Sequence, residues 1–245
     1  MLPRLYLPDA LAGADELALD AGLAHYLGQV LRLRPGAEVE CFDGRGGRVR
    51  ARVGRIERRQ ANLIDLRRTE PAPRPTPRTT LVQAGATGDK TDWVIEKATE
   101  AGVGNIVLFN GERGTAKIPR DRLERKLEHW QRVAAAACAQ CGRDWLPPVS
   151  FVDSLPVAVA ALDGPCLIAT PDAPATLTAW ARAQPKAPAS VGLIIGPESG
   201  LSATELDAAS AAGAARVSLG PRIWRTETAG LAGLVILHAL LGDLQ

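Results

Sequence analysis

The sequence predicts an α/β protein in two parts, a small β-rich barrel followed by a larger domain in which strands and helices alternate. Three observations predict it. A proline-dense stretch, TEPAPRPTPRTT over residues 69–80, divides the chain. Proline fixes φ and restricts the residue before it, so this stretch is extended and stiff. Charge changes across it: residues 1–78 hold 14 Lys+Arg against 10 Asp+Glu, a net of +4, and residues 79–245 hold 15 against 17, a net of −2. The apolar pattern also changes, from short alternating runs before the prolines to strand–helix alternation after them.

In the first part, one helix is expected from about Asp20 to Leu31, followed by the loop RLRPG. Residues 37–64 then carry the stretches VECFDG, GRVRARVGRIERR and ANLIDL, with Asp43-Gly44 as a hairpin-turn signal. In RVRARV, Arg48, Arg50 and Arg52 share one strand face and Val49, Ala51 and Val53 the other. A basic face of this kind suits phosphate, although charge alone favours a solvated strand face.

In the second part, TTLVQAG reads as a strand, TDWVIEKATEAG as a helix and NIVLFNG as a strand. A long helix over PRDRLERKLEHWQRVAAAACAQCG ends near Gly142. PCLIAT and VGLIIGP are strands, SATELDAASAAG a helix, RVSLG a strand and TETAGLAGLVILHALLG the last helix. Such alternation argues for a parallel sheet covered by helices.

Composition narrows the function classes. Hydrophobic residues are 46% of the 245, enough for a sizeable core. The N-terminus MLPRLYLPDA lacks the charged-then-apolar pattern of an export signal, so a cytoplasmic protein with reduced cysteines is expected. The longest apolar run, Gly230–Leu241, is interrupted by His238 and is shorter than the roughly 20 residues a spanning helix needs. Cys138 and Cys141 form a C-x-x-C in an Ala-rich helix without a second pair, which reads as packed thiols, and the three histidines are scattered, so no metal is expected.

Two strand-to-helix loops attract attention. In VGLIIGPESGLSATEL, an apolar strand runs into Gly196-Pro197-Glu198-Ser199-Gly200, and Ser202 with Glu205 forms a capping box for the next helix. In VSLGPRIWRTETAGLAGL, a Gly-Pro turn precedes the polar run Arg222, Arg225, Thr226, Glu227 and Thr228, where Thr226 or Thr228 is the expected cap. Arginines at a helix N-terminus oppose its dipole, and local rules tend to be broken at sites. Ligands gather at the carboxyl ends of strands in open α/β sheets.

These motifs carry a resemblance. HYLGQVLRLRPG, FDGRG, GDKTDWVIEKATEAGV with the ERG after it, AACAQCGR, LIIGPESGLS and LGPRIWRTETA occur in the order seen in the RsmE family of 16S ribosomal RNA uridine N3-methyltransferases, a branch of the SPOUT superfamily. The chain resembles that family over its whole length. Ser199 stands where glycine is commonest, Gly114 where serine is frequent and Ala139 where an acidic residue is frequent.

The resemblance implies an RNA-binding PUA-like β-barrel over residues 1–70, a linker over 71–79 and a SPOUT methyltransferase domain with a deep trefoil knot over 80–245. It implies a homodimer acting on 16S rRNA or the assembled 30S subunit. S-adenosylmethionine would lie among Gly196, Pro197, Glu198, Gly200 and Leu201, then Leu219 and Gly220, then Ile223, Trp224, Arg225, Thr226, Thr228 and Ala229. RNA contacts are expected at Arg32, Arg48, Arg50, Arg52, Arg113 and Arg143.

Methylating N3 of uridine requires loss of its proton and alignment with the methyl group. A cation beside the uracil oxygens would stabilise the anion. Arg225 is the candidate, with Glu198 or Glu227 as proton acceptor; a structural hydrogen bond or cap fits Glu227 better. Asp89-Lys90 is either a turn and cap or part of the RNA cleft.

Overall fold

The computed structural model describes residues 2–8, 16–86, 88–115 and 117–244. They pack as two compact units: residues 1–74 with 138–146, and residues 75–137 with 147–245.

The first unit is a curled five-stranded sheet in the order β1-β3-β4-β5-β2, formed by β1 (Arg4–Tyr6), β2 (Glu16–Leu19), β3 (Glu38–Phe42), β4 (Arg48–Ile56) and β5 (Ala61–Arg68). β1 runs parallel to β3, and the other pairs are antiparallel. The expected alternation holds in β4: Val49, Ala51 and Val53 are buried, and Arg50 and Arg52 are exposed. Ala51 and Val53 form one core with Leu5, Leu27, Val39, Cys41 and Leu63. At the β3–β4 turn the Asp43 carboxylate accepts from the N–H groups of Arg45 (2.7 Å) and Gly47 (2.9 Å), and Gly44 takes a φ of 76°.

The expected helix after Asp20 is α1 (Ala21–His25), which continues as a π turn over Tyr26–Val30. Asp20 caps it, accepting from Leu23 N at 2.8 Å. It ends at Arg32, whose φ of 52° is left-handed, and Leu33 N–H reaches back to Leu27 O at 2.9 Å. Helices usually place glycine at such an end, because an L side chain there costs roughly 1–2 kcal/mol.

Residues 138–146 hold this unit together in a way the sequence did not announce. Arg4 is buried, pairs with Glu40 at 3.0 Å and forms a close ion pair with buried Asp144. The Trp145 ring lies on Gly46, where a Cβ would come within 2.6 Å of it. Its indole N–H donates to Ala72 O at 3.0 Å, and the Arg74 guanidinium sits 5.1 Å from the ring centroid. The FDGRG glycines thus make room for side chains distant in sequence, Gly46 for Trp145 and Gly44 for Leu146. Cys138, in the same segment, is buried, and desolvation pushes its thiol up to about 12.

The second unit is a six-stranded, all-parallel sheet in the order β11-β9-β10-β6-β7-β8. Its strands are β6 (Arg78–Ala84), β7 (Asn105–Phe109), β8 (Val149–Val152), β9 (Cys166–Ala169), β10 (Ser190–Ile195) and β11 (Ala215–Val217). The helices are α2 (Lys90–Glu100), α3 (Leu123–Cys141), α4 (Leu155–Ala160), α5 (Leu177–Arg182), α6 (Ala203–Ala211) and α7 (Thr226–Leu241). The apolar strands are buried on both faces, as parallel sheets require. Val82, Ile168 and Ile194 pack with Leu155, Ala158 and Ala209 of α4 and α6. Their neighbours Leu81 and Leu193 face α7, where Gly230 and Gly233 allow contact; a Cβ on Gly233 would stand 2.4 Å from Leu193 Cδ2. No helix of the described residues is long and apolar enough to cross a membrane.

Candidate active site

The carboxyl ends of β9 and β10 open into a cleft of about 540 Å³, walled by residues 169–172, by the loop Gly196–Leu201 and by residues 223–226 and 229. A smaller recess beside it is lined by Leu219, Gly220, Arg222 and Trp224. The two loops singled out in the sequence therefore meet, although a helix and a strand, residues 202–218, separate them.

One side chain ties them. Thr226 begins α7 and is buried; its hydroxyl donates to Gly196 O at 2.6 Å and accepts from Gln83 Nε2 of β6 at 3.0 Å. The α7 N-cap is Arg225, which makes no side-chain capping bond, so neither expected threonine is the cap. Thr226 is turned inward to the loop instead, and Thr228 donates to Arg225 O at 3.1 Å. Thr228 does not line the cleft; the other expected donor-binding residues line the cleft or the recess.

The first loop turns at Gly200, whose φ is 74°, and Ser199 is not a left-handed residue. Serine at 199 leaves the backbone angle undisturbed, and its hydroxyl donates to Arg113 O at 2.7 Å. Gly196 has no room for more than hydrogen: a Cβ would meet Leu201 Cγ at 2.9 Å and Leu201 N at 3.2 Å. The expected capping box is present. Glu205 accepts from Ser202 N (2.8 Å) and, with its other oxygen, from Glu112 N (3.0 Å), so the ERG turn is fastened to the loop. The second loop has its own clasp, Trp224 Nε1 donating to Leu219 O at 3.2 Å, with Gly220 at φ 93°. Ile223 is 85% exposed beside it.

Charge is arranged around Lys90. Its ammonium lies 3.2 Å from Glu198 and 3.4 Å from Glu227, which raises its pKa, the hydrogen bond to Glu198 foremost. The Glu227 carboxyl is held below the usual range, first by a backbone hydrogen bond and then by Lys90 and Arg225. The Glu198 side chain is 42% exposed and that of Glu227 13%. Arg225 is exposed at the rim. On the far wall Arg216 reaches Asp172 at 2.6 Å, and its hydrogen bond lowers the Asp172 pKa. This pair had no sequence signal, because Arg216 lies in a strand and Asp172 in an unremarkable loop.

The expected RNA residues fall in several places. Arg113 is exposed on the ERG turn of the second unit. Arg32, Arg48, Arg50, Arg52 and Arg143 belong to the first unit. There Arg48 and Arg50 each approach Glu40 at 3.8 Å, and Arg52 approaches Glu38 at 3.7 Å, so cross-strand carboxylates offset part of the basic face. No group of three or more potential metal ligands occurs among the described residues.

The chain matches two family models, an RNA methyltransferase domain over residues 73–238 and an RNA methyltransferase PUA domain over residues 19–66. It is 32% identical over 241 residues to ribosomal RNA small subunit methyltransferase E of Mycobacterium bovis, covering 96% of this chain and 90% of that one. It is 34% identical over 229 residues to the protein of that name from Synechocystis, covering 92% and 73%. Among solved structures, a methyltransferase of Legionella pneumophila in complex with the cofactor SAM superposes with a TM-score of 0.91 at 30% identity, covering 99% of both chains. Ribosomal RNA small subunit methyltransferase E of Neisseria gonorrhoeae, bound to S-adenosyl methionine, gives 0.88 at 29% identity over 100% of both. A family model spanning most of the chain, and relatives above 30% identity over nearly all of it, make this protein a member of the ribosomal RNA small subunit methyltransferase E family.

Proposed function

We propose that this chain is an S-adenosylmethionine-dependent methyltransferase of small-subunit ribosomal RNA, acting on N3 of one uridine in 16S rRNA. The observation that carries the reading is the cleft where the loops at 196–201 and 219–229 converge, in a fold shared with methyltransferases crystallised with that cofactor. The cleft volume lies within the roughly 300–1,000 Å³ typical of small-molecule sites. Ile195, Leu201, Trp224 and Ala229 offer apolar surface to an adenine, and the loop glycines expose backbone polar groups to the ribose and amino-acid ends. We assign the donor to Gly196–Leu201, Leu219-Gly220 and Ile223–Ala229, the segment expected to form the knot. The cofactor supplies an electrophilic methyl group when bound.

The chain's own residues supply the rest. Arg225, exposed at the start of α7, is the cation for the uracil oxygens as N3 loses its proton. Glu198 is the proton acceptor, because it is more open to the cleft than Glu227. Lys90 pairs with both carboxylates and orients Glu198. The first unit is assigned to RNA binding, with Arg32, Arg50 and Arg52 exposed for it. The target base must leave its stack to reach the cleft. A homodimer fits α7, which keeps Val235 41% exposed on an otherwise apolar helix.

Purified protein, donor and unmethylated small subunits test the reading, with mass mapping of the RNA. One methylated uracil base is expected, lost in Arg225→Ala under single-turnover conditions. Ribose methylation, or none, would overturn it.

A further inference from the structure

A second cleft, of about 780 Å³, opens in the methyltransferase unit beside α3. Its cations are Lys117, Arg122, Arg125, Lys126 and Arg132, against the carboxylates Asp89 and Asp92. Asp92 is already engaged, accepting from Trp130 Nε1 at 3.0 Å and pairing with His129 at 2.6 Å. Arg122 lies 3.8 Å from Asp121, whereas Arg125, Lys126 and Arg132 pair with no carboxylate among the described residues. Positions 125, 126, 129 and 132 recur at helical spacing, so α3 presents them on one face about 10 Å long, and Arg122 stands just before its first residue.

One turn separates this cleft from the donor cleft. Gly111 and Gly114 pack on Pro197, where a Cβ would stand 3.1 and 3.3 Å from the proline ring, and Ser199 is bonded to Arg113 O at 2.7 Å. Further along the same turn, Thr115, Lys117 and Ile118 line the basic cleft. Lys90, next to Asp89 of the basic cleft, reaches Glu198 of the donor cleft at 3.2 Å.

We propose that the basic cleft along α3 seats the ribose-phosphate backbone of the RNA strand flanking the target nucleotide, so that the base enters the donor cleft over the turn at 111–115. This rests on the functional reading above. Arg125, Lys126 (5.3 Å from the Trp130 ring centroid) and Arg132 have no carboxylate partner among the described residues and cluster one turn from the donor cleft, which favours RNA over an acidic protein segment.

The test is the full-length triple variant Arg125→Gln, Lys126→Gln, Arg132→Gln against the wild type, with unmethylated small subunits as probe. Filter binding over a salt series should give a slope shallower by about two, since each lost single-strand phosphate contact removes roughly 0.7. KM for the subunits should rise about tenfold with kcat within about twofold, the mark of lost ground-state binding. Donor affinity by calorimetry should not change, which also verifies the fold. A wild-type salt slope and KM in the variant would overturn the proposal. So would crosslinking of α3 to a ribosomal protein instead of to RNA. A wild type that binds subunits but transfers no methyl group refutes the functional reading, and the salt slope then decides the cleft by itself.

Discussion

Thr226 bears on three elements at once, because its hydroxyl bonds Gly196 O and Gln83 Nε2 in a buried place. Thr226→Val keeps the shape and strands both partners, each unsatisfied buried group costing about 1–3 kcal/mol. We expect a fall of that order in denaturant stability, with Thr226→Ser close to wild type. Gly196→Val should stay folded and lose donor binding, since its Cβ meets the Leu201 backbone N at 3.2 Å and the loop must move. Titration calorimetry showing normal donor affinity in that variant would remove the loop from the donor site. At Lys90 the expectation concerns pH. Glu227 has a folded pKa below its unfolded value, so its share of stability is present above the ordinary carboxylate range and lost as pH falls through the folded value. The melting-temperature gap between wild type and Lys90→Met should therefore be open at neutral pH and close on acidification below about pH 4.

Among elements, β1 is only three residues long, and Arg4 at its start does more than pair strands. It neutralises Glu40 of β3 and Asp144 beyond α3, both buried. Removing one partner of a buried ion pair leaves an uncompensated charge, typically worth about 3–5 kcal/mol. Arg4→Met should thus lower stability by that order in equilibrium unfolding, and the double change Arg4→Met, Asp144→Leu should recover part of it. On β4 the arginine stripe is partly satisfied by Glu38 and Glu40. Replacing Arg50 and Arg52 by Gln should flatten the salt dependence of RNA binding by less than the roughly 0.7–0.9 per residue of free phosphate-contacting cations. A full two-residue change in slope would show that RNA displaces the carboxylates.

At the scale of the whole molecule, α7 is apolar nearly all round, with Leu234 and Leu237 buried in the unit and Val235 left exposed. A helix of this kind calls for cover on its outer side. Val235→Asp should shift the mass measured by light scattering from dimer to monomer while leaving the far-UV spectrum unchanged. A dimer that survives this change would place the interface elsewhere.

The sequence by itself determined the periodicities. The alternation of Val49, Ala51 and Val53, the Asp43-Gly44 hairpin, the Ser202–Glu205 capping box and five of the six parallel strands are local patterns that appear as read, whereas the four-residue edge strand β8 was not expected. It also brought both glycine loops forward, since glycine after a strand is a local backbone signal. Short elements such as β1, α4 and α5 lacked the length to show a period. What only the tertiary structure decided is which distant side chains meet. Thr226 looked like a cap and is a tie between loops; Lys90 looked like a turn residue or part of an RNA cleft and holds two carboxylates; Arg4 and Asp144, 140 residues apart, form a buried pair. Local propensity depends on neighbours within a turn or two, whereas these contacts depend on strand order, and strand order is set by burying every apolar face at once.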